Sequence, residues 1–300
     1  MSFDAAEKFQ SQIPALQMLV ALGFKPLSQA DALRMRGGRL RNVVLDDVLA
    51  DSLMRINRFT YKGREYGFDL ADAHEAMRRL KPTPDRMKGL KGTNQDVYDT
   101  LVLGTTITKT IDGDSKSYSF RFIDWETPSN NAFHVTAEYA VERTGSTQTK
   151  RCDIVGFVNG IPFLVIENKR PTESLKKADS QLVGYQSEDN IPQLFHFAQL
   201  LVSMNRADAR YATVGTPRKF WQTWRDEEDT DTTVFASANR SLSDTEKDAV
   251  FSGDFAIARA YFDAMQAEGE RAVSPQDLTV FALRRPERML DLIRRFTVFD

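Results

Sequence analysis

Cysteine is nearly missing from this 300-residue sequence, Cys152 being the only one. A lone thiol excludes an intrachain disulfide and any cysteine-rich zinc site, and it suits a reducing compartment. Long apolar runs are missing as well, none approaching the ~18 residues a membrane helix needs. The amino terminus (Met1, Ser2, Phe3, Asp4, then Glu7) has no basic stretch leading into an apolar one, so no secretory signal is expected. Glycine (16) and proline (11) are too scarce for a low-complexity chain. Excess charge is lacking too: 40 Lys and Arg against 42 Asp and Glu leave a net −2. That balance argues against a uniformly basic nucleic-acid coat protein and leaves room for a local basic groove. There is no Gly-x-x-x-x-Gly-Lys-Ser/Thr loop; the stretch from Gly104 to Thr110 lacks the second glycine, so these residues should not bind or hydrolyse ATP by themselves. The three histidines, His74, His134 and His196, are scattered without ligand spacing and read as structural. These absences predict a soluble cytoplasmic protein with no membrane partner.

Hydrophobic content of 41% and charged content of 27% match a chain with a packed core, in one large domain or two ordinary ones. Apolar residues at helical spacing predict helices over 5–24, 43–56 and 69–80. Between the first two lie Arg34, Arg36, Arg39 and Arg41, with Gly37 and Gly38 among them, on what reads as a flexible stretch suited to phosphate contact. From 31 to 91 there are 14 Lys and Arg against 9 Asp and Glu. Beyond Asn94 the texture turns to strands: 100–111 and 116–125 around Asp112-Gly113-Asp114, then 132–143, then 151–158 and 161–167 around Asn159-Gly160. The last two are apolar on both faces and should be central and buried. A helix over 173–188 and strands over 198–204 and 210–215 follow. Residues 226–254 carry 9 acids against 2 bases and read as a solvated loop. Helical patterns return at 254–268 and 286–296. The chain stops at Asp300 directly after a periodic helix, an ending expected of a fragment of something longer.

Ionisable residues cap the most apolar block. Asp153 opens one buried strand, and Glu167, Asn168 and Lys169 close the next. Burying such groups is costly unless they pair or hold a metal. Glu167 and Lys169 stand two apart and share a strand face. If Asp153 joins that face, two hard carboxylates with an ammonium beside them suit Mg²⁺ and phosphodiester chemistry. Parity sets a condition. A tight turn at Asn159-Gly160 would pair Val158 with Ile161 and place Asp153 opposite Ile166, leaving the acids on opposite faces. Convergence therefore requires an irregularity, expected here as a three-residue Asn-Gly-Ile connection. A strand-end salt bridge of Glu167 with Lys169 or Arg170 is the plain alternative. The similar triplet Asp114-Ser115-Lys116 lies in a polar turn and is set aside.

This hairpin resembles the PD-(D/E)XK nuclease core, and more narrowly the amino-terminal part of the type I restriction enzyme R (HsdR) subunit. The matching stretches are Asn94 to Leu103, Phe122 to Trp125, Asn130 to Phe133, Asp153 to Lys169, Gln181 to Tyr185, Tyr211 to Thr216, and Trp224. The resemblance implies an α/β fold: a mixed central β-sheet flanked by helices, restriction-endonuclease-like, with helical N- and C-terminal additions. It implies Asp153 and Glu167 as Mg²⁺ ligands, the Asn168 carbonyl as a third, and Lys169 acting on water or phosphate. Gln181 and Tyr185, one turn apart on a helix face, would support the site or touch DNA phosphate. Cys152 stands where the family usually has proline. The implied organisation is a helical region over 1–92, a nuclease core over 93–225, and an acidic loop with helices over 226–300 leading towards an absent helicase-like ATP motor. The implied partners are double-stranded DNA and the methyltransferase and specificity subunits of a restriction–modification complex. Two other classes remain open from the residues. One is a non-cleaving module that docks DNA or subunits. The other is an enzyme of small phosphorylated metabolites, which would need a closed apolar pocket beside the acids.

Overall fold

A computed structural model describes residues 3–82, 87–224 and 231–299. The first third holds α1 (Phe3–Ala21), β1 (Lys25–Pro26), α2 (Gln29–Met35), α3 (Asp46–Ile56), β2 (Arg58–Tyr61), β3 (Arg64–Gly67) and α4 (Leu70–Leu80). The middle holds α5 (Gly89–Leu103), β4 (Thr105–Ile111), β5 (Asp114–Phe120), β6 (Phe133–Glu142), β7 (Thr149–Val158), β8 (Ile161–Asn168), α6 (Lys176–Tyr185), α7 (Pro192–Phe195), β9 (Leu200–Asn205) and β10 (Asp208–Ala212). Five helices follow: α8 (Asp231–Ala238), α9 (Asp244–Val250), α10 (Ala258–Ala267), α11 (Pro275–Arg284) and α12 (Pro286–Phe296).

Six strands form one mixed sheet in the order β1-β6-β7-β8-β9-β10, and two separate hairpins, β2-β3 and β4-β5, lie outside it. β1 runs parallel to β6 and β9 parallel to β8, while β6-β7, β7-β8 and β9-β10 are antiparallel. Every residue of β8 and β9 is buried, as continuous apolar strands require when both sheet faces are covered. Helix α1 covers one face. It touches β6, β7 and β8 on one side and α8, α10 and α11 on the other, so Phe9, Ile13, Leu16, Leu19 and Val20 bury nearly all round its axis. On the opposite face α6 lies against β8 and β9 through Ala178, Leu182 and Tyr185. The mixed sheet between helices is the architecture the sequence predicts.

The β7-β8 hairpin turns in two residues, and the expected three-residue connection is not formed. Asn159 (φ 51°) and Gly160 (φ 82°) are both left-handed, the arrangement of a type I′ turn, and Val158 pairs with Ile161. Asn159 locks it: its Oδ1 accepts from the Ala132 N–H, and its Nδ2 donates to the Phe122 carbonyl and to Asn131 Oδ1. The expected irregularity lies further along the strand. Phe157 pairs with Pro162, but Gly156 pairs with Leu164, so Phe163 is the extra residue of a bulge. Pro162 has no N–H for the ladder, and a central strand tolerates proline at such a break.

Other expectations need correction. Residues 100–103 end helix α5 and are not strand; Asn94 in that helix donates to the carbonyls of Phe195, His196 and Ala198, a tertiary contact that decides the segment. Residues 121–125 lie beyond the end of β5. Part of the stretch read as flexible is helix α2, capped by Ser28. The segment read as an acidic loop contains α8 and α9, the latter begun by a capping box of Ser243 and Glu246; Asp226 to Asp229 lie outside the described residues. The amino-terminal region is not purely helical, since β1 joins the central sheet.

Two outcomes test this packing. A Cβ on Gly160 would come within 2.6 Å of the Leu45 carbonyl oxygen and 2.9 Å of the Leu49 nitrogen, at a φ that suits glycine. Gly160→Ala should therefore lower stability by about 2 kcal/mol or more, seen as a reduced urea midpoint. Cys152 is wholly buried, and that burial, followed by the charges of Glu167, Asp153 and Glu138, pushes its thiol well above the ordinary range. It should resist a thiol-disulfide reagent at pH 8 in the native state and react fully in denaturant.

Candidate active site

The bulge at Phe163 resets the register just before the acids. Beyond it the ladder continues through Gly156–Leu164, Val155–Val165 and Ile154–Ile166, so the next register step sets Asp153 opposite Glu167. Without the extra residue Asp153 would oppose Ile166. Asp153 Oδ2 accepts the Asn168 backbone N–H at 2.7 Å, which fastens the carboxylate to β8 just past the last ladder pair. Glu167 is 0% exposed and Asp153 3%.

Side chains alternate beyond this point. Asn168 turns towards α1, where its Nδ2 donates to Ser11 Oγ at 2.9 Å. Glu167 and Lys169 point the other way, towards α6. Lys169 Nζ lies 3.9 Å from Glu167 Oε2 and donates to Gln181 Oε1 at 2.7 Å. Gln181 Nε2 donates to the Tyr185 hydroxyl oxygen at 2.6 Å, and the Tyr185 O–H donates to the Arg151 carbonyl at 3.0 Å. The one-turn spacing of Gln181 and Tyr185 thus ties the ammonium to the β7 backbone two residues before Asp153. Burial, then the Glu167 charge, pushes the Tyr185 hydroxyl well above its usual range, so it stays protonated and donates. Both residues are engaged inside the protein and not turned out towards a ligand.

The donor set fits a hard divalent cation. Two carboxylates stand at opposed strand positions, and the buried amide oxygens Gln12 Oε1 and Asn168 Oδ1 nearby have no hydrogen-bond partner. Among the described residues no three His, Cys, Asp or Glu side chains are close enough to hold an ion by themselves. Two carboxylates with a main-chain carbonyl leave positions for water or phosphate oxygens, as suits Mg²⁺.

Sequence reasoning missed several neighbours. Ser203 on β9 pairs in register with Glu167, and its Oγ donates to the buried Asp179 carboxylate on α6, with Arg210 3.7 Å away. Ser11 and Gln12 on α1, and Glu138 on β6, also meet this point. They lie 12 to 156 residues from Asp153 and Glu167, and no spacing rule connects them.

The four arginines separate. Arg36 is buried: it donates to the carbonyls of Asn42 and Ala140, and its guanidinium lies 4.3 Å from the Tyr139 ring centre. It is a core cation that braces β6, so the expectation that it faces phosphate is corrected. Arg34 pairs with Asp31 at 3.2 Å and Arg41 with Glu142 at 3.1 Å, both from exposed positions. Arg39 is exposed and shares a cavity of about 630 Å³ with Arg41 and Lys81. Burial lowers His134 and His196 to about 4, so both are neutral near pH 7, the first buried and the second half-buried. No helix among the described residues is long and apolar enough to cross a membrane.

Comparison with known proteins gives the chain a family. The chain is similar to the "Type I restriction enzyme HindI endonuclease subunit" of Haemophilus influenzae, 27% identical over 244 residues, covering 75% of this chain and 20% of that protein. It is 31% identical over 100 residues to the "Type I restriction enzyme SsaAORF53P endonuclease subunit" of Staphylococcus saprophyticus, covering 33% of this chain and 10% of the relative. Over 100 residues it is 30% identical to the "Type I restriction enzyme SauCOLORF180P endonuclease subunit" of Staphylococcus aureus, again 33% and 10%. The matched stretch therefore spans a fifth or less of the length of these relatives. A family model described as "Type I restriction enzyme R protein N terminus" matches residues 4–220, and the chain belongs to that family.

Proposed function

We propose that this chain is the Mg²⁺-dependent DNA endonuclease portion of a type I restriction–modification R subunit. The observation that carries the reading is the register that sets Asp153 opposite Glu167, with Lys169 Nζ 3.9 Å from the latter. In this reading Asp153, Glu167 and the Asn168 carbonyl hold the cation, which supplies Lewis-acid activation of a water and charge neutralisation at the phosphodiester.

The chain's own residues do the remaining work. Lys169 presents a fixed positive charge where negative charge develops on the phosphate. Its position is set by the hydrogen-bond run through Gln181 and Tyr185 to the Arg151 carbonyl, so these two are positioning residues. The Asn168 N–H holds one oxygen of Asp153 and so fixes the carboxylate against β8. Exposed Arg34, Arg39 and Arg41 are suited to DNA phosphates, an attraction that weakens as salt rises. Choice of target rests with methyltransferase and specificity subunits, and ATP-driven movement with a motor outside this chain. The cytoplasm, where such DNA and Mg²⁺ meet, is the proposed setting.

Mg²⁺-dependent breakage of plasmid DNA tests the reading. Asp153→Asn, Glu167→Gln and Lys169→Ala should each slow strand cleavage on the order of 10³-fold, about 4 kcal/mol in the barrier, with circular dichroism unchanged. Cleavage undiminished in Asp153→Asn and Lys169→Ala would overturn the assignment. DNA binding without cleavage by the unaltered chain, assayed with its partner subunits, would favour the non-cleaving docking module instead.

A further inference from the structure

Glu138 is the one non-glycine residue with a left-handed backbone inside a strand among the described residues: φ is 52°, whereas Lys62, Asp112 and Asn159 occupy turns. The strand does not slip there. Ala137 pairs with Ile154 and Tyr139 with Cys152, so Glu138 stands opposite Asp153 at the one missing rung of an otherwise continuous ladder. Register therefore sets Glu138, Asp153 and Glu167 on neighbouring positions of three adjacent strands.

Gln12 from α1 reaches this spot. It is 0% exposed, and its Nε2 donates at 2.9 Å both to Glu138 Oε1 and to the Asp153 carbonyl. That double contact places the amide head between the two residues. Its other atom, Oε1, is buried and has no hydrogen-bond partner. The adjacent Ser11 receives the Asn168 side chain, whose Oδ1 is likewise buried without a partner. Buried amide oxygens are costly to leave without a donor, and neither face of this arrangement supplies one from the protein. Since no three acids in the described residues hold an ion directly, the third must work at one remove. Water on a hydrated Mg²⁺ meets that need: the ion keeps several of its waters when bound by one or two carboxylates, and each water is a donor.

We propose that Glu138 is a third acidic group of the cation site, a positioning residue that, with the Gln12 amide oxygen, hydrogen-bonds water on the α1 side, next to Asp153, of a divalent cation held between Asp153 and Glu167. The inference rests on the cation reading given above. It explains why a glutamate accepts a left-handed backbone in a buried strand, a conformation that persists only where the surroundings impose it. It also gives α1 a chemical role beyond covering the sheet.

The test measures cation binding without DNA, so that cleavage plays no part. Mn²⁺, an Mg²⁺ stand-in with a paramagnetic signal, is titrated into the 300-residue chain and followed by electron paramagnetic resonance. Glu138→Gln, which keeps the volume, and Gln12→Met should each raise the Mn²⁺ dissociation constant about tenfold, the usual effect of losing an outer partner. The double variant should bind no more weakly than either single one, because the two act as a unit. Thermal melts report the fold separately, and if Gln12→Met does not fold, Glu138→Gln decides. Asp153→Asn separates the two levels of the argument. Lost binding there with unchanged affinity in Glu138→Gln would overturn this inference alone. Unchanged binding in Asp153→Asn would overturn the cation site and this inference with it.

Discussion

A one-residue slip between β7 and β8 decides which side of the sheet receives each acid. Strand side chains alternate with a period of two, so one extra residue exchanges faces for everything beyond it. Phe163 is that residue, and Pro162 beside it lacks the N–H that would hold a regular ladder there. The tight turn at Asn159-Gly160 and the bulge work as a pair. The turn sets the starting register through two left-handed residues, and the bulge shifts it by one before the acids are reached. Remove the bulge and Asp153 opposes Ile166; the hydrogen bond from the Asn168 N–H would then have no carboxylate in place.

Burial gives that alignment its consequences. Charged groups withdrawn from water interact strongly with one another, and a misplaced one is expensive. The centre is therefore built with its charges tied down: Asp153 by a backbone N–H, Lys169 by Gln181, and Gln181 by a tyrosine that burial keeps protonated. The run closes on the Arg151 carbonyl, so β7, β8 and α6 hold one another in a single geometry. On the far face, α1 contributes Ser11 and Gln12, and Gln276 of α11 exchanges hydrogen bonds with Ser11. The carboxy-terminal helices thus reach β8 through one intermediate helix.

The basic segment before α3 shows how composition misleads about role. Four arginines within eight residues look equivalent as charge. In the fold Arg36 is turned inward to carbonyl oxygens and an aromatic ring, while Arg34, Arg39 and Arg41 stay at the surface. A guanidinium has enough donors to be satisfied in a core when carbonyls are arranged for it, and that arrangement comes from β6, about a hundred residues away.

Local pattern determined the central strands, the helices α1, α3, α4, α6 and α12, and the residues Asp153, Glu167 and Lys169. Each of these depends on period, apolar density or spacing within one segment, and such signals survive in a linear string. The need for an irregularity in the hairpin was legible for the same reason, since parity is arithmetic. Its location was not, because a bulge at Phe163 and a longer turn satisfy the same count, and only the packing of Asn159 against Phe122, Asn131 and Ala132 chooses between them. Helix α5 escaped notice because the side chain that secures it, Asn94, bonds to carbonyls a hundred residues away. Gln12, Glu138 and Ser203 come beside Asp153 and Glu167 only because α1, β6 and β9 pack against the hairpin. Sequence chose the groups that carry charge; tertiary structure decided which of them meet, because contact between distant segments is set by packing and hydrogen-bond satisfaction and leaves no periodic trace in the chain.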